Sequence, residues 1–219
     1  SIHARACKLK CEKILTRPSE VETFGIDESW IELTGSPLLK ERTPHEIADE
    51  IRNTVKSEVG LTVSIGISFN KIFAKLGSDM KKPDAVTEIG RDTFRDQVWP
   101  LPVSDLLYVG RATAEKLGRY CIRTIGDLAN TERDILRSLL GINGEKIWAY
   151  ANGLDASRVM PCDYTPPIKS IGHGITCTAD LVSESEVRGV FLELSQDIGL
   201  KLRKQGPVSY THLRAHETT

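Results

Sequence analysis

Residues 24–30 read Phe24-Gly25-Ile26-Asp27-Glu28-Ser29-Trp30, so two adjacent carboxylates interrupt an otherwise apolar β-strand pattern. Adjacent acids lower strand propensity, and their like charges repel unless a cation neutralises them. The ion that best suits such a pair is Mg²⁺, which takes carboxylate oxygens together with phosphate oxygens. A solvated β-turn would also explain an isolated Asp-Glu pair. Features elsewhere in the sequence are needed to distinguish a metal site from a turn.

The segments around this pair predict an α+β layer with helices on one face. Strands are predicted over 21–26 and 30–34, and a third over 61–68. Thr43 and Glu46 form a capping box, which predicts a helix that Gly60 ends. Asn70 is predicted to cap a further helix that runs to about residue 82.

The sequence pattern changes near residue 99. From there, short helical segments separated by glycines predict a small all-helical domain. The helices are predicted to open at these four residues: Ser104, Thr113, Thr124 and Thr131. A proline-rich linker follows over 155–167.

Residues 169–178 predict a strand, and Ser183 with Glu186 predicts a capped helix up to about residue 204. One strand and one helix cannot bury that helix's apolar face. We therefore expect most of this last domain to be missing from the chain. Residues 208–219 have no periodicity and are expected to be a non-native tail.

The bulk composition is that of a soluble globular protein, with 40% hydrophobic residues and a net charge of −1 over 219 residues. No apolar run approaches the roughly 18 residues of a membrane span. The five cysteines are an odd number without C-x-x-C spacing, which favours reduced thiols and a cytoplasmic location. The charge balance lacks the basic domain that many nucleic-acid binders show. Any DNA binding must then come from local patches and backbone amides.

Three segments together resemble the Y-family DNA polymerases, in the bacterial branch of the DNA polymerase IV type with a UmuC domain. The first is the segment around Asp27 and Glu28. The second runs from Ser64-Ile65-Gly66-Ile67-Ser68 through Asn70-Lys71-Ile72-Phe73-Ala74-Lys75-Leu76-Gly77-Ser78-Asp79-Met80-Lys81-Lys82-Pro83. The third is Lys169-Ser170-Ile171-Gly172. The resemblance covers about residues 13–207, in the order and spacing of the family.

The resemblance implies part of a right-hand polymerase. The expected divisions are a partial palm over 1–90, a helical thumb with a helix-hairpin-helix over 91–160, a linker over 161–168, the start of an α+β little-finger domain over 169–207, and the tail over 208–219. The expected function is DNA synthesis across damaged DNA, with primer-template DNA and deoxynucleoside triphosphates as partners. A monomer is the expected state. The sequence leaves open whether a sliding clamp is a partner, and a peptide that binds one would lie beyond residue 219.

The resemblance also implies roles for individual residues. Asp27 and Glu28 would hold two Mg²⁺ ions, and Lys82 would contact the incoming triphosphate. Lys82 could equally complement the dipole at the end of its helix without any ligand. Lys71 and Lys75 are more often a solvated helix face, and no role is assigned to them. DNA-backbone contacts are implied for these residues: Val109, Gly110, Arg111, Gly141, Gly144, Lys169 and Ser170.

The chain also departs from the family pattern. The family's first carboxylate motif, its steric-gate aromatic residue and its fingers domain cannot be found in residues 1–20. We therefore expect a fragment that does not extend a primer by itself. One alternative is a non-catalytic DNA-binding module based on the helix-hairpin-helix. A nucleotide cyclase is a third hypothesis, which the thumb-like helical segment disfavours.

Overall fold

The computed structural model describes residues 21–25, 27–161, 164–165 and 167–206. These residues divide between 164 and 165 into two compact units, which are described separately. The boundary lies within the predicted linker, and the extents of the predicted domains stay a prediction. Residues 1–20, in which the family's first carboxylate motif cannot be found, lie outside the described residues. The predicted tail over 208–219 also lies outside them.

The first unit mixes short strands with helices, as the sequence predicts. Its strands are β1 (Val21–Phe24), β2 (Glu28–Ile31), β3 (Ile65–Ser68) and β4 (Val86–Ile89). Its helices are α1 (Pro44–Val59), α2 (Lys71–Met80), α3 (Phe94–Val98), α4 (Arg111–Gly118), α5 (Ile125–Asn130), α6 (Arg133–Leu140) and α7 (Ile142–Ala151). Short 3-10 helices lie at Pro37–Lys40 and Val103–Asp105. The mixed α+β class is therefore confirmed.

The strands form two separate pairs in the described part of the chain. β1 and β2 are antiparallel, with Phe24 opposite Glu28 at the hairpin end. β3 and β4 are parallel, and the chain between them forms α2. Both α1 and α2 pack against β3 and β4. The sequence prediction missed β4 and gave the other strands too great a length, because burial and pairing, rather than apolar runs, set their ends.

Helix α1 has the ends that the sequence predicts. The Thr43 hydroxyl accepts from the Glu46 backbone N–H at 3.2 Å, and the Glu46 carboxylate accepts from the Thr43 backbone N–H at 2.7 Å. Gly60 ends the helix in a left-handed conformation, with φ of 73°. The buried side chains of α1 pack against Ile31 of β2 and Ile65 of β3, so this helix supports both strand pairs.

Helix α2 lies unusually close to β3. Asn70 caps it by accepting from the Phe73 N–H at 2.8 Å, as predicted. A Cβ atom built on Gly66 of β3 would stand 1.9 Å from the Ala74 carbonyl oxygen and 2.6 Å from the Ser78 nitrogen. Only glycine permits this approach. The buried side chains of α2, among them Phe73 and Leu76, belong to the same hydrophobic core as the buried side chains of the helical region.

The helical region confirms one of the predicted starts and corrects the others. Thr124 does cap α5, in a capping box with Asp127. Ser104 lies within the 3-10 helix Val103–Asp105 and does not open an α-helix. The predictions for Thr113 and Thr131 are also wrong, because α4 is capped by Gly110 and α6 by Glu132, neither of which uses a side-chain hydrogen bond. Helix starts without a side-chain hydrogen bond cannot be recognised from a capping residue in the sequence.

The second unit is built around helix α8 (Glu184–Gln205), which begins at the predicted capping box of Ser183 and Glu186. The predicted strand over 169–178 is absent, since those described residues have no strand assignment. None of the described side chains of α8 is buried, and three of its apolar side chains are exposed: Phe191 (65%), Leu192 and Leu200. None of the helices in the described ranges combines the length and apolar character that a bilayer crossing requires.

Candidate catalytic site

The two acids lie at the end of the β1–β2 hairpin. Asp27 is exposed in the turn, and Glu28 is the first residue of β2, with its side chain 36% exposed. The Phe24 and Trp30 rings pack behind this end of the hairpin, with centroids 4.5 Å apart. Asp27 alone would therefore fit a solvated turn. The contacts of Glu28 are what distinguish a site from a turn.

Glu28 is the first member of a line of alternating charges that runs along α2. Its Oε1 accepts from Lys75 Nζ at 2.7 Å, and the same ammonium donates to Asp79 Oδ2 at 2.7 Å. The other carboxylate oxygen of Asp79 pairs with Lys82 Nζ, also at 2.7 Å. Three salt bridges therefore connect Glu28 to Lys82, two residues that are 54 positions apart in the sequence and are predicted to serve one site.

Of the two middle groups of this line, Lys75 is the one shielded from solvent. Lys75 is only 16% exposed. Burial by itself would lower its pKa, but the hydrogen bonds to Asp79 and Glu28 hold the pKa of Lys75 above its usual value. Burial would likewise raise the pKa of Asp79, and the hydrogen bonds from Lys75 and Lys82 hold it below its usual value. Both middle groups therefore stay charged.

A second set of contacts fixes the hairpin on α2. Lys71 Nζ lies 2.7 Å from both carboxylate oxygens of Glu22 and 4.3 Å from the centre of the Trp30 ring. The Trp30 indole N–H donates to the Lys71 carbonyl at 3.0 Å. Glu22 also accepts from the Met160 N–H at 2.9 Å. The hairpin, α2 and the segment after α7 thus share one polar network.

Sequence reasoning missed Lys75 and Asp79 as site residues, and it missed the attachment of the hairpin to α2 through Lys71 and Glu22. The only signal was the i, i+4 spacing of Lys71, Lys75 and Asp79 on one helix face. That spacing also describes an ordinary solvated face. The acidic partners lie 47 and 49 residues away in the sequence, which no local pattern reveals.

The donor set at the hairpin end suits a hard divalent cation. Mg²⁺ is commonly bound through one or two carboxylates together with substrate phosphates, and Asp27 and Glu28 supply two carboxylates. Within the described ranges, no three His, Cys, Asp or Glu side chains come together as a metal-binding group. Asp27 and Glu28 supply carboxylate oxygens of the kind that Mg²⁺ takes, and their role as metal ligands stays a prediction.

The first predicted DNA-contact segment precedes α4. Tyr108 is exposed and has a φ of 71°, which is costly for a bulky residue and marks a constrained turn. Val109 is buried, and its N–H donates to the Leu106 carbonyl at 3.0 Å. Gly110 is exposed and begins α4 without a side-chain cap. Arg111 is 93% exposed and pairs with Glu115 at 2.8 Å.

The other predicted DNA-contact residues have varied surroundings. Gly141 separates α6 and α7 with a φ of 65°, and its N–H donates to the Arg137 carbonyl. Gly144 is buried, and an added Cβ would meet the Leu136 carbonyl oxygen at 2.1 Å, so close packing already requires glycine there. Lys169 and Ser170 are exposed residues of the second unit. Their DNA contacts, like those of the segment before α4, stay a prediction.

Comparison with known proteins identifies the chain's relatives. Residues 4–79 match the impB/mucB/samB (IMS) family model. The chain is 49% identical over 183 residues, 84% of its length, to a protein of Acetivibrio thermocellus named DNA polymerase IV. It is 38% identical over 185 residues to DNA polymerase IV 1 of Bacillus subtilis. The chain therefore contains an impB/mucB/samB (IMS) family segment and is similar over most of its length to proteins named DNA polymerase IV.

The solved structures agree on the fold. DinB from Sulfolobus solfataricus matches with a TM-score of 0.63 at 20% identity, over 72% of this chain and 47% of that one. A binary complex of Dbh DNA polymerase, described as post-insertion, matches with the same TM-score and coverage. The chain spans about half the length of the curated relatives it matches, for example 46% of the Acetivibrio protein.

Proposed function

We propose that this chain is part of a Y-family DNA polymerase. That polymerase would carry out template-directed DNA synthesis across damaged DNA. Asp27 and Glu28 would hold two Mg²⁺ ions, and Lys82 would contact the triphosphate of a deoxynucleotide. The observation that carries this proposal is the line of three 2.7 Å salt bridges from Glu28 to Lys82. This line supports the proposal because it connects Glu28 and Lys82 through two side chains of α2, Lys75 and Asp79.

Phosphoryl transfer of this kind depends mainly on positioning and on charge neutralisation. Bound Mg²⁺ would lower the pKa of the attacking hydroxyl and neutralise the phosphate oxygens. Asp27 and Glu28 would fix its place at the end of a hairpin that Lys71 and Lys75 attach to α2. Lys82 is 57% exposed, so its ammonium can leave Asp79 and reach a phosphate as a mobile point charge.

DNA would be held by backbone contacts that carry no sequence information. The start of α4, where Gly110 provides no side-chain hydrogen bond, offers backbone amides to a phosphate, and the exposed Arg111 adds charge beside them. Further DNA-backbone contacts are proposed at Gly141 and Gly144 in the first unit and, separately, at Lys169 and Ser170 in the second unit. A cytoplasmic location, a monomeric state and a sliding-clamp partner complete the proposal.

A chimera tests this function. We would replace the matching segment of the Acetivibrio thermocellus DNA polymerase IV with this chain and measure primer extension on primer-template DNA. Asp27→Asn and Glu28→Gln should each reduce extension about 10²-fold or more, a typical loss for one electrostatic group at a reacting centre. Glu32→Gln is the matched control, because this exposed carboxylate just after β2 accepts from the Thr34 N–H and has no other hydrogen bond or salt bridge among the described residues. Equal extension by all variants would refute the assigned roles.

The non-catalytic binding module is the alternative function, favoured by the uncapped α4 and the constrained turn at Tyr108. It predicts that the folded chimera binds primer-template DNA and loses that binding with Arg111→Ala, yet extends no primer. Fluorescence anisotropy with labelled DNA measures the binding. Detectable extension that depends on Glu28 would exclude a purely non-catalytic module.

A further inference from the structure

The ammonium of Lys75 lies between two carboxylates, and the carboxylate of Asp79 lies between two ammonium groups. The four charges alternate in sign from Glu28 to Lys82. Each of the two middle groups therefore divides its attraction between two partners. A change at one end of the line must alter how strongly the other end is held.

We propose that Lys75 is a positioning residue that couples cation binding at Glu28 to the release of Lys82 toward a triphosphate. This inference rests on the proposed function, because it takes Glu28 as a metal ligand and Lys82 as a phosphate ligand. It assigns Lys75 and Asp79 a role in coupling, which their i, i+4 spacing on α2 alone does not indicate. Neither residue touches the reacting atoms in this scheme.

The coupling follows from competition for one ammonium group. When the carboxylate of Glu28 is taken by a divalent cation, Lys75 loses that partner and keeps only Asp79. The single remaining salt bridge neutralises Asp79 more completely, so Asp79 attracts Lys82 less. Lys82 is the more exposed of the two lysines in these salt bridges, and it is then free to turn toward phosphate oxygens.

Lys71 provides a matched control on the same helix. It lies one turn before Lys75, is similarly buried at 13% exposure, and also makes a 2.7 Å salt bridge to the hairpin. Its carboxylate partner is Glu22, which shares no hydrogen bond or salt bridge with Asp79 or Lys82 among the described side chains. Lys71→Met therefore removes an α2–hairpin salt bridge without interrupting the line of charges.

The first measurement is a Mg²⁺ titration of the 219-residue chain, followed by NMR. Lys75→Met should bind Mg²⁺ about fivefold more tightly, because the competing ammonium is gone and a partly exposed pair contributes about 1 kcal/mol or less. Lys75→Arg keeps the positive charge and should bind close to the original affinity. Lys71→Met should also leave the affinity unchanged. Equal affinity in the Lys75→Met chain and the original chain would overturn the proposal.

The second measurement follows the ε-methylene signal of Lys82 during the same titration. In the original chain and in Lys71→Met, this signal should shift as Mg²⁺ binds. In Lys75→Met and in Asp79→Asn the shift should disappear, since both substitutions remove the salt bridge between Lys75 and Asp79 in the middle of the line. A Lys82 shift that persists in both variants would show that the effect reaches Lys82 by another route and would refute the coupling.

Glu28→Gln separates failure of this inference from failure of the proposed function. If the original chain binds no Mg²⁺, or binds it equally well with Glu28→Gln, the assigned metal site is wrong and the coupling falls with it. If Glu28→Gln abolishes binding but Lys82 never responds in the original chain, the metal site stands and the coupling alone is refuted. Lys75→Arg guards against unfolding, since it keeps the charge and should restore the Lys82 response.

Discussion

Replacing Gly66 by alanine is expected to separate β3 from α2. The added Cβ would stand 1.9 Å from the Ala74 carbonyl oxygen and 2.6 Å from the Ser78 nitrogen, both backbone atoms. Such atoms stop repelling at about 3.5 Å, so α2 must move by about 1.5 Å. A side-chain rotation cannot relieve the contact, because no side-chain atom is involved in it.

The cost can be judged from two opposing effects. Overpacking of a well-packed interior costs about 1–3 kcal/mol, and a clash with backbone belongs at the upper end. Alanine also restricts the unfolded chain, which returns about 0.4–1 kcal/mol. We expect Gly66→Ala to lower the free energy of unfolding by about 2 kcal/mol. The displaced α2 would also carry Lys75 away from Glu28.

Urea denaturation followed by circular dichroism measures the loss, and Gly118→Ala is the control. Gly118 is the last residue of α4, and a Cβ added there would have no other atom within 4 Å, so alanine should be neutral or stabilising by up to about 1 kcal/mol. A Gly66→Ala protein as stable as the original, with an unchanged slope of unfolding against urea, would refute the close-packing argument.

Three further outcomes are expected. Phe73→Ala should lower the free energy of unfolding by about 3–5 kcal/mol in urea, because the ring is fully buried; a loss below about 1 kcal/mol would contradict that burial. Hydrogen bonds from Lys56 and Arg52 hold the pKa of Asp84 below its ordinary value, so its stabilising effect is present above about pH 4 and is lost as the pH falls through the lowered pKa. The stability difference between the original chain and Asp84→Asn, measured by thermal melts, should therefore shrink in acid, and a constant difference would argue against this salt-bridge origin. Phe191→Ser should reduce the binding of an apolar fluorescent dye without lowering the melting temperature, because the ring is exposed. A lower melting temperature would show that the ring is covered in solution.

Helix ends that rest on side chains could be predicted from the sequence. Thr43, Asn70, Thr124 and Ser183 all cap helices in the structure, because each hydroxyl or amide satisfies a nearby backbone N–H. The start of α4 at Gly110 could not be predicted in this way, since no side chain marks it. Local chemistry determines the first group and packing determines the second.

The candidate site was predictable only in part. The residues Asp27 and Glu28 stand out because adjacent acids are unfavourable in an apolar strand pattern, and the structure places them at a hairpin end. The pairing of Glu28 with Lys75 depends on how two distant segments pack, which a four-residue period cannot convey. For the same reason the predicted strand over 169–178 failed, because a strand forms only where a partner strand is available.

The attachment of the β1–β2 hairpin has a consequence for the working conditions of the protein. In the described residues the hairpin's two strands pair only with each other, and ammonium–carboxylate contacts through Lys71 and Lys75 tie it to α2. Dissolved ions weaken the more exposed contact at Lys75 before the more enclosed one at Lys71. Rising ionic strength should therefore loosen the acidic tip first, while the hydrophobic interior keeps its shape.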